Sequence, residues 1–382
     1  MGIADCAFTI EAFLEKVTAE NPELVDYNVL AVKRVLFGQV DVGEEFFDGF
    51  REEYGGPAFN KWFNKKADEA AYVCYEGRAL VAFLYLKVEG LDENYSDINP
   101  SFRPKRRLKI GTFKVELNGY KLGERFLKIV FDNALRQNVE EAYVTIFPQT
   151  IGRQRLIKIL EDFGFKKHGT KVSPYGTETV YVRDMTPKFD AQDPKLTFPY
   201  VSRSSRAFIV PIWPKYHTSL LPDSILKTES PADFVEQEPH RNAIRKVYVS
   251  RSVFRNLQTG DVLVFYRTGG KYKGVATTLG IVEDVYRTIR DEAHFINLCR
   301  KRSVFSDKEL REQWNFNKSN RPFIVGFLYA YSLRRRPTLK ELIDNGIIRD
   351  IESVPRGFER ITSDQFAKIL SLSKADPRVV VD

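Results

Sequence analysis

Two groups of residues in this 382-residue chain combine types and spacing suited to chemistry. The first lies in "TFKVELNGYKLGERFLKIVFDNALRQ", residues 112–137, which reads as a strand, a glycine turn and an amphipathic helix. A helix start presents unpaired backbone N–H groups at the positive end of the helix dipole, and together these attract an anion. Gly119 and Gly123 leave room for a diphosphate at that turn. Leu122, Phe126, Ile129, Val130 and Leu135 fall on roughly one helical face, as packing on a sheet requires. Taken alone, the turn fits a phosphate cradle and a plain bend equally well.

The second group interleaves aromatic and basic residues. "IWPKYHTS" carries Trp213, Lys215, Tyr216 and His217, "HRNAIRKVYVS" carries His240, Arg241, Arg245, Lys246 and Tyr248, and Arg267 follows "VFY". Single-stranded bases are held by aromatic stacking together with cations that track the phosphates, so this pattern suits nucleic acid. Trp213 and Tyr248 suit the core of a small barrel as well. The run "RRRP" at 334–337 fits peripheral phosphate attraction better than base readout.

Charge supports the same division. The net charge is +8, but residues 1–200 hold 28 basic against 30 acidic residues, and the remainder 31 against 21. A near-neutral half joined to a basic half suggests that the second half meets a polyanion, with nucleic acid the first candidate and a solvated basic face the alternative. Cys6, Cys74 and Cys299 are scattered with no paired spacing, and the four histidines lack metal-ligand spacing, so no disulfide framework and no metal site is expected. No apolar run is long enough to span a membrane, and "MGIADCAFTI" lacks a basic region followed by an apolar one. A cytoplasmic protein is expected.

The elements that must position these residues follow from periodicity. "FTIEAFLEKVTAE", "YNVLAVKRVLFG" and "EEFFDGFREEY" space apolar residues three or four apart and predict helices across 8–66. "AAYVCYE" and "ALVAFLYLKVEG", separated by Glu76-Gly77-Arg78, predict a hairpin, and "RLKIGTFKVEL" a third strand. After the helix come the strand "AYVTIF", the helix "GRQRLIKILEDF" and a hairpin through "SPYG" to "ETVYVRDM", giving an α+β domain over 1–185. "TPKFDAQDPKLTFPYVSRSSR", residues 186–206, contains three prolines and reads as a linker. Short strands "AFIVPIW", "RKVYVS", "DVLVFYRT", "GVATTLGIVEDVYR" and "RPFIVGFLYAYSL" predict a partly closed β-barrel domain over 207–382.

The order of elements over 40–185 resembles the GNAT acetyltransferases, a mixed sheet flanked by helices that binds acetyl-CoA and acetylates amines. Their turn motif falls on "NGYKLG", with Asn118 in the Gln/Arg position, Lys121 in the first glycine position and Gly123 in the second. The strand "FKVEL" directly before the turn and "LEDFGF" after the next helix add to the resemblance. It implies cofactor contacts from Val115, Leu117, Asn118, Gly119, Tyr120, Lys121, Leu122, Gly123 and Glu124, with Glu116 as base and Tyr175 or Tyr181 as acid. Arg153 and Leu160 stand where many members carry an Asn and an acid-supplying Tyr. "GDVLVFYR" and "GVATTLGIVEDV" resemble the PUA-like barrels of the EVE and ASCH group, which bind RNA or modified nucleobases.

The fusion implies an acetyl-CoA-dependent N-acetyltransferase acting on an amine carried by RNA or a ribonucleoprotein, as in a toxin or stress-response factor. The alternative is a non-catalytic reader of RNA or modified DNA whose acetyltransferase fold is degenerate or only senses CoA. The barrel's contact residues are then Trp213, Tyr216, His217, His240, Arg245, Lys246, Tyr248 and Arg267.

Overall fold

The computed structural model describes residues 32–117, 119–224 and 238–382, so the helix expected over "FTIEAFLEKVTAE" lies outside the described residues. The chain divides into two compact units, with the division between Phe83 and Leu84 inside strand β3 (Ala79–Glu89).

In the first unit, β1 (Val32–Leu36) runs antiparallel to β2 (Ala70–Glu76), with Val32 opposite Cys74. Helices α1 (Asp48–Tyr54) and α2 (Gly56–Asn64) lie between them in sequence. The core is aromatic: Phe37 meets Phe63 and Phe83 edge-on at 4.8 and 5.3 Å, and Phe47 meets Phe63 at 5.2 Å. Gly77 at φ 61° turns β2 into β3, a conformation that costs glycine least. The helix expected over "YNVLAVKRVLFG" is corrected here, since Val32–Leu36 is a strand. Its residues are mostly exposed, so no two-residue alternation marks it, and Val32, Val35 and Leu36 imitate helical spacing.

The second unit contains two larger sheets. In the first, the strand order is β3, β5 (Arg107–Val115), β6 (Glu141–Ile146), β8 (Gly176–Asp184), β7 (Lys166–Ser173) and β4 (Ile98–Asn99). β5 and β6 are parallel, joined by α3 (Leu122–Gln137), while β6, β8 and β7 are antiparallel neighbours. Helix α4 (Ile151–Asp162) is capped by Thr150, whose hydroxyl accepts from Arg153 N.

Residues 186–206 were expected to be a linker, yet they contribute to the core. Phe198 is 0% exposed and packs edge-on against Phe131 and Phe163 at 5.3 and 5.5 Å. Arg183 donates to the Phe163 and Phe198 carbonyls at 2.9 and 3.2 Å. β9 (Val201–Ser202) pairs in parallel with β16 (Val380–Val381). The prolines and polar residues gave the segment its linker-like composition, while three apolar residues anchor it.

The other sheet has the order β11 (Arg245–Ser250), β14 (Phe323–Ser332), β13 (Val275–Tyr286), β12 (Val262–Arg267), β10 (Ala207–Ile212) and β15 (Glu359–Ile361). Alternate residues Phe208, Val210, Leu263, Phe265, Val325 and Phe327 build one core. Val247 and Ile324 face a second, built with Phe295, Cys299, Leu310 and Trp314 of helices Glu292–Cys299 and Asp307–Asn315. The sheet is buried on both sides, which explains its near-continuous apolar runs. Strand pairing does not return on itself among the described residues; instead the Tyr248 hydroxyl of β11 donates to the Pro211 carbonyl of β10. Among the described residues, no helix is long and apolar enough to cross a membrane, and no cluster of His, Cys, Asp or Glu is suited to a metal ion.

Phe198→Ala should lower the unfolding free energy by about 3–5 kcal/mol, through lost burial and the cavity left among Phe131 and Phe163. Equilibrium denaturant unfolding measures this, and a segment acting as a free linker would show almost no change.

Candidate functional site

The first candidate site begins where β5 and β6 part. Their parallel pairing runs from Arg107–Glu141 to Ile110–Val144 and stops there among the described residues. β5 continues through Gly111–Val115 and β6 through Thr145–Ile146. The facing edges therefore carry peptide groups able to bind an extended, amide-bearing ligand. Gly111 matters at this point: a Cβ there would come within 2.6 Å of the Tyr85 ring.

The turn after β5 leads into α3. Gly119 has φ 93° and Lys121, the residue preceding the helix, is left-handed at φ 59°. No side chain caps this helix start. Asn118 lies outside the described residues. Three cations gather around the turn. A Cβ on Gly119 would stand 3.1 Å from the Lys301 ammonium, and Lys121 and Arg302 lie 3.6 and 3.1 Å from the Glu124 carboxylate. Burial, then the Arg302 guanidinium, lowers the Lys121 pKa against the pull of Glu124. The Tyr120 carbonyl accepts from Asn242 Nδ2 at 2.9 Å. Leu122 is buried, and a Cβ on Gly123 would meet Ile159 of α4 at 3.2 Å, so a bulky residue there would strain helix packing as well as fill the turn.

Glu124 was expected to touch the cofactor through the helix start. Its side chain is instead buried, accepting from Ile244 N at 2.9 Å, Arg245 N at 3.2 Å and both Arg302 terminal nitrogens. Burial alone would raise this carboxyl, but Arg302, Lys121 and the hydrogen bonds override it and hold the pKa below its ordinary value. Next to it and one turn on, Arg125 and Lys128 pair with Asp223 at 2.7 and 3.4 Å. Helix α3 thus buries a polar stripe as well as an apolar one.

The three expected catalytic residues take different positions. Glu116 follows β5 and pairs with Lys114 at 2.7 Å. Tyr175 is exposed at the tip of the β7–β8 hairpin. Tyr181 is buried, and burial followed by the nearby Glu161 raises its phenol pKa. Sequence reading missed Glu178, which is 4% exposed on β8 and accepts from the Thr145 hydroxyl at 2.9 Å. Thr145 is the first β6 residue beyond the point of divergence. The signal was available in "GTETVYVRD", where alternation puts Glu178 in step with the buried Val180. On β6, Tyr143 two residues before Thr145 donates to the buried Glu89 carboxylate at 2.7 Å, as Tyr95 does at 3.1 Å. Burial leads in raising Tyr95 to about 12, and Glu89 adds to it.

The second candidate site is a cavity of about 780 Å³. Trp213, Tyr216, Tyr248 and Phe305 supply its aromatic lining, with Thr268, Gln313, Glu352 and Arg356 as polar groups. Trp213 is 69% exposed and lies nearly parallel to Tyr216, with ring centres 6.4 Å apart. Such a surface can stack on a planar ring.

Four expected nucleic-acid contacts need correction. His217, His240 and Lys246 are buried: His217 Nε2 meets the Thr277 hydroxyl at 2.8 Å, His240 Nε2 meets the Ser219 hydroxyl at 2.7 Å, and Lys246 donates to the His240 and Arg241 carbonyls. Arg245 is neutralised by Glu283 and Asp284. Arg267 is half-buried at the end of β12.

No protein family matches the chain, and no curated protein matches it. Among solved structures it is similar to a ZmASCH mutant protein from Zymomonas mobilis, at 12% identity over 44% of this chain and 95% of that one, with a TM-score of 0.31. It is also similar to a GNAT-family acetyltransferase from Streptococcus agalactiae, at 15% identity over 48% and 92%, with a TM-score of 0.26. A third likeness is to the NatC complex bound to Gag peptide and CoA, at 13% identity over 40% and 98%, with a TM-score of 0.27.

Two stability predictions follow from the buried charges. Glu124→Gln should cost about 3–5 kcal/mol in urea unfolding, because Arg302 loses its counter-charge while staying half-buried. His240 is held down to about 3 from 6.5, by burial first and then by Lys246 and Arg241. The unfolded chain therefore binds a proton that the folded one refuses, and stability should fall as pH drops from 6.5 towards 3. Unfolding free energies across that window should flatten in His240→Gln.

Proposed function

We propose that this chain is an acetyl-CoA-dependent N-acetyltransferase of GNAT-like fold. Its PUA-like half would hold an RNA-associated acceptor: an aminoacyl-tRNA, a modified base or a ribosomal protein. The observation that carries the reading is the divergence of β5 from β6 beside a glycine turn and a helix start with no side-chain cap. The donor set suits the cofactor: peptide edges for the pantetheine amides, side-chain-free backbone at Gly119, and the Lys301 ammonium beside it, with Lys121 close by, as charges for the diphosphate. Acetyl-CoA, when bound, supplies an acetyl group activated as a thioester.

The protein's own residues then have three tasks. The edges around Val115 and Leu117 orient the ligand by hydrogen bonding. The cations at the turn neutralise its phosphates. A carboxylate takes the proton that the amine must lose, and Glu178 fits this role better than Glu116, since Thr145 fixes its Oε1 beside the diverging strands. The aromatic cavity supports the acceptor half of the reading, because Trp213 and Tyr216 form a platform for a base.

A second reading is favoured by α4. Leu160 is fully buried and Arg153 lies 5.9 Å from the Phe147 ring, so the positions that supply an Asn and an acid elsewhere hold neither. On this reading the fold binds CoA without turnover.

Calorimetry with acetyl-CoA, followed by assay of CoA release with cellular RNA as acceptor source, tests both. Micromolar binding is expected, with turnover reduced at least about 100-fold in Glu178→Gln and cofactor affinity nearly unchanged. Binding without turnover in the wild type supports the second reading; absence of binding removes both.

A further inference from the structure

Guanidinium groups in and around the second sheet are held in two ways. Arg206 pairs with Asp261, Arg245 with Glu283 and Asp284, and Arg302 with Glu124, so their charges are cancelled locally. Arg251, Arg255, Arg287 and Arg321 are held differently, with no carboxylate in ion-pair reach among the described residues. Arg287 donates to the carbonyls of Arg255 and Leu257. Arg255 donates to the Arg321 carbonyl at 2.8 Å and to Asn320 at 2.6 Å. Arg321 donates to the Trp314 carbonyl, and Arg251 to the carbonyl and side chain of Gln313.

The grips of Arg287 and Arg255 fall on the next arginine's own carbonyl, and Asn320, beside Arg321, donates to the Arg251 carbonyl at 3.2 Å. The result is a continuous row, Arg287, Arg255, Arg321 and Arg251, that ends on Gln313 in the wall of the 780 Å³ cavity. Neutral acceptors fix the forks in place without cancelling their charge. Aromatic rings lie under three of them: Phe323 is 4.9 Å from Arg255, Trp314 is 4.6 Å from Arg321, and Phe316, itself 80% exposed, is 4.9 Å from Arg251.

We infer that this row is a phosphate track, along which the backbone of a single-stranded nucleic acid runs while one of its bases enters the cavity beside Trp213. The inference rests on the proposed RNA-associated acceptor and deepens it. The occupant follows from the chemistry: fixed, uncompensated forks match a line of phosphates, and the neighbouring aromatics suit unpaired bases better than a stacked duplex. Lys318, exposed in the same loop as Asn320, adds a solvent-facing charge.

The probe is a fluorescein-labelled 12-nucleotide oligouridylate, with its DNA counterpart and a duplex of equal length as competitors, read by anisotropy across a salt series. Wild-type binding should weaken with salt, and the Arg255→Gln/Arg287→Gln pair should reduce the slope of log K against log salt by about 0.7 for each charge removed. Lys318→Glu should weaken binding several-fold at an unchanged melting temperature, which keeps the test decisive if the arginine variants fold poorly. Trp213→Ala separates the two claims. If it weakens binding while Lys318→Glu and the arginine variants leave the salt slope unchanged, the track is wrong and the RNA reading stands. If the wild type binds no oligonucleotide, both fall. Equal competition by the duplex overturns the single-strand assignment.

Discussion

The buried Glu124 carboxylate is the constraint on which the second unit depends. Burying a lone charge is expensive, and one that is buried needs partners of good geometry. Glu124 receives two backbone N–H groups, from Ile244 and Arg245, and the fork of Arg302. It also sits in the first turn of α3, where the helix dipole favours a negative charge. These contacts set the direction of the glycine turn, the start of β11 and the segment after Cys299 relative to one another. The diverging strands and the aromatic cavity inherit that arrangement, because Val247 and Tyr248 of β11 and Phe305 line the cavity.

Charge compensation does more here than net charge. The basic excess of residues 201–382 is unevenly distributed: several arginines are cancelled by carboxylates, while those near the cavity are held by carbonyls. Counting residues cannot separate these classes, because a guanidinium held by a peptide oxygen and one held by a carboxylate look alike in the sequence. The first is available to a phosphate and the second is largely spent. For the same reason the buried His217, His240 and Lys246 resembled binding residues. They are polar groups held inside the fold by interior oxygen partners.

Much of the fold was legible from periodicity. Helices α3 and α4 carry a three-to-four-residue period, and the strands of both sheets stand out as β-branched and aromatic segments between turn residues, the five longer strands of the second sheet as near-continuous apolar runs. β1 was misread because its residues are largely exposed and burial left no alternation on them. Residues 186–206 were misread because composition averages over a segment, whereas a few buried positions, Phe198, Tyr200 and Val201 among them, fix its packing.

The sequence by itself determined the strand, turn and helix around Gly119, the aromatic and basic character of the second half, and the order of the strands along the chain. These are local properties, written in spacing and residue type. Only the tertiary structure decided that Glu124 faces inward to Arg302, that Glu178 lies beside the diverging strands, and which arginines keep their charge. Those outcomes depend on partners up to 178 residues apart, and no local pattern encodes which carboxylate or carbonyl a long side chain will reach.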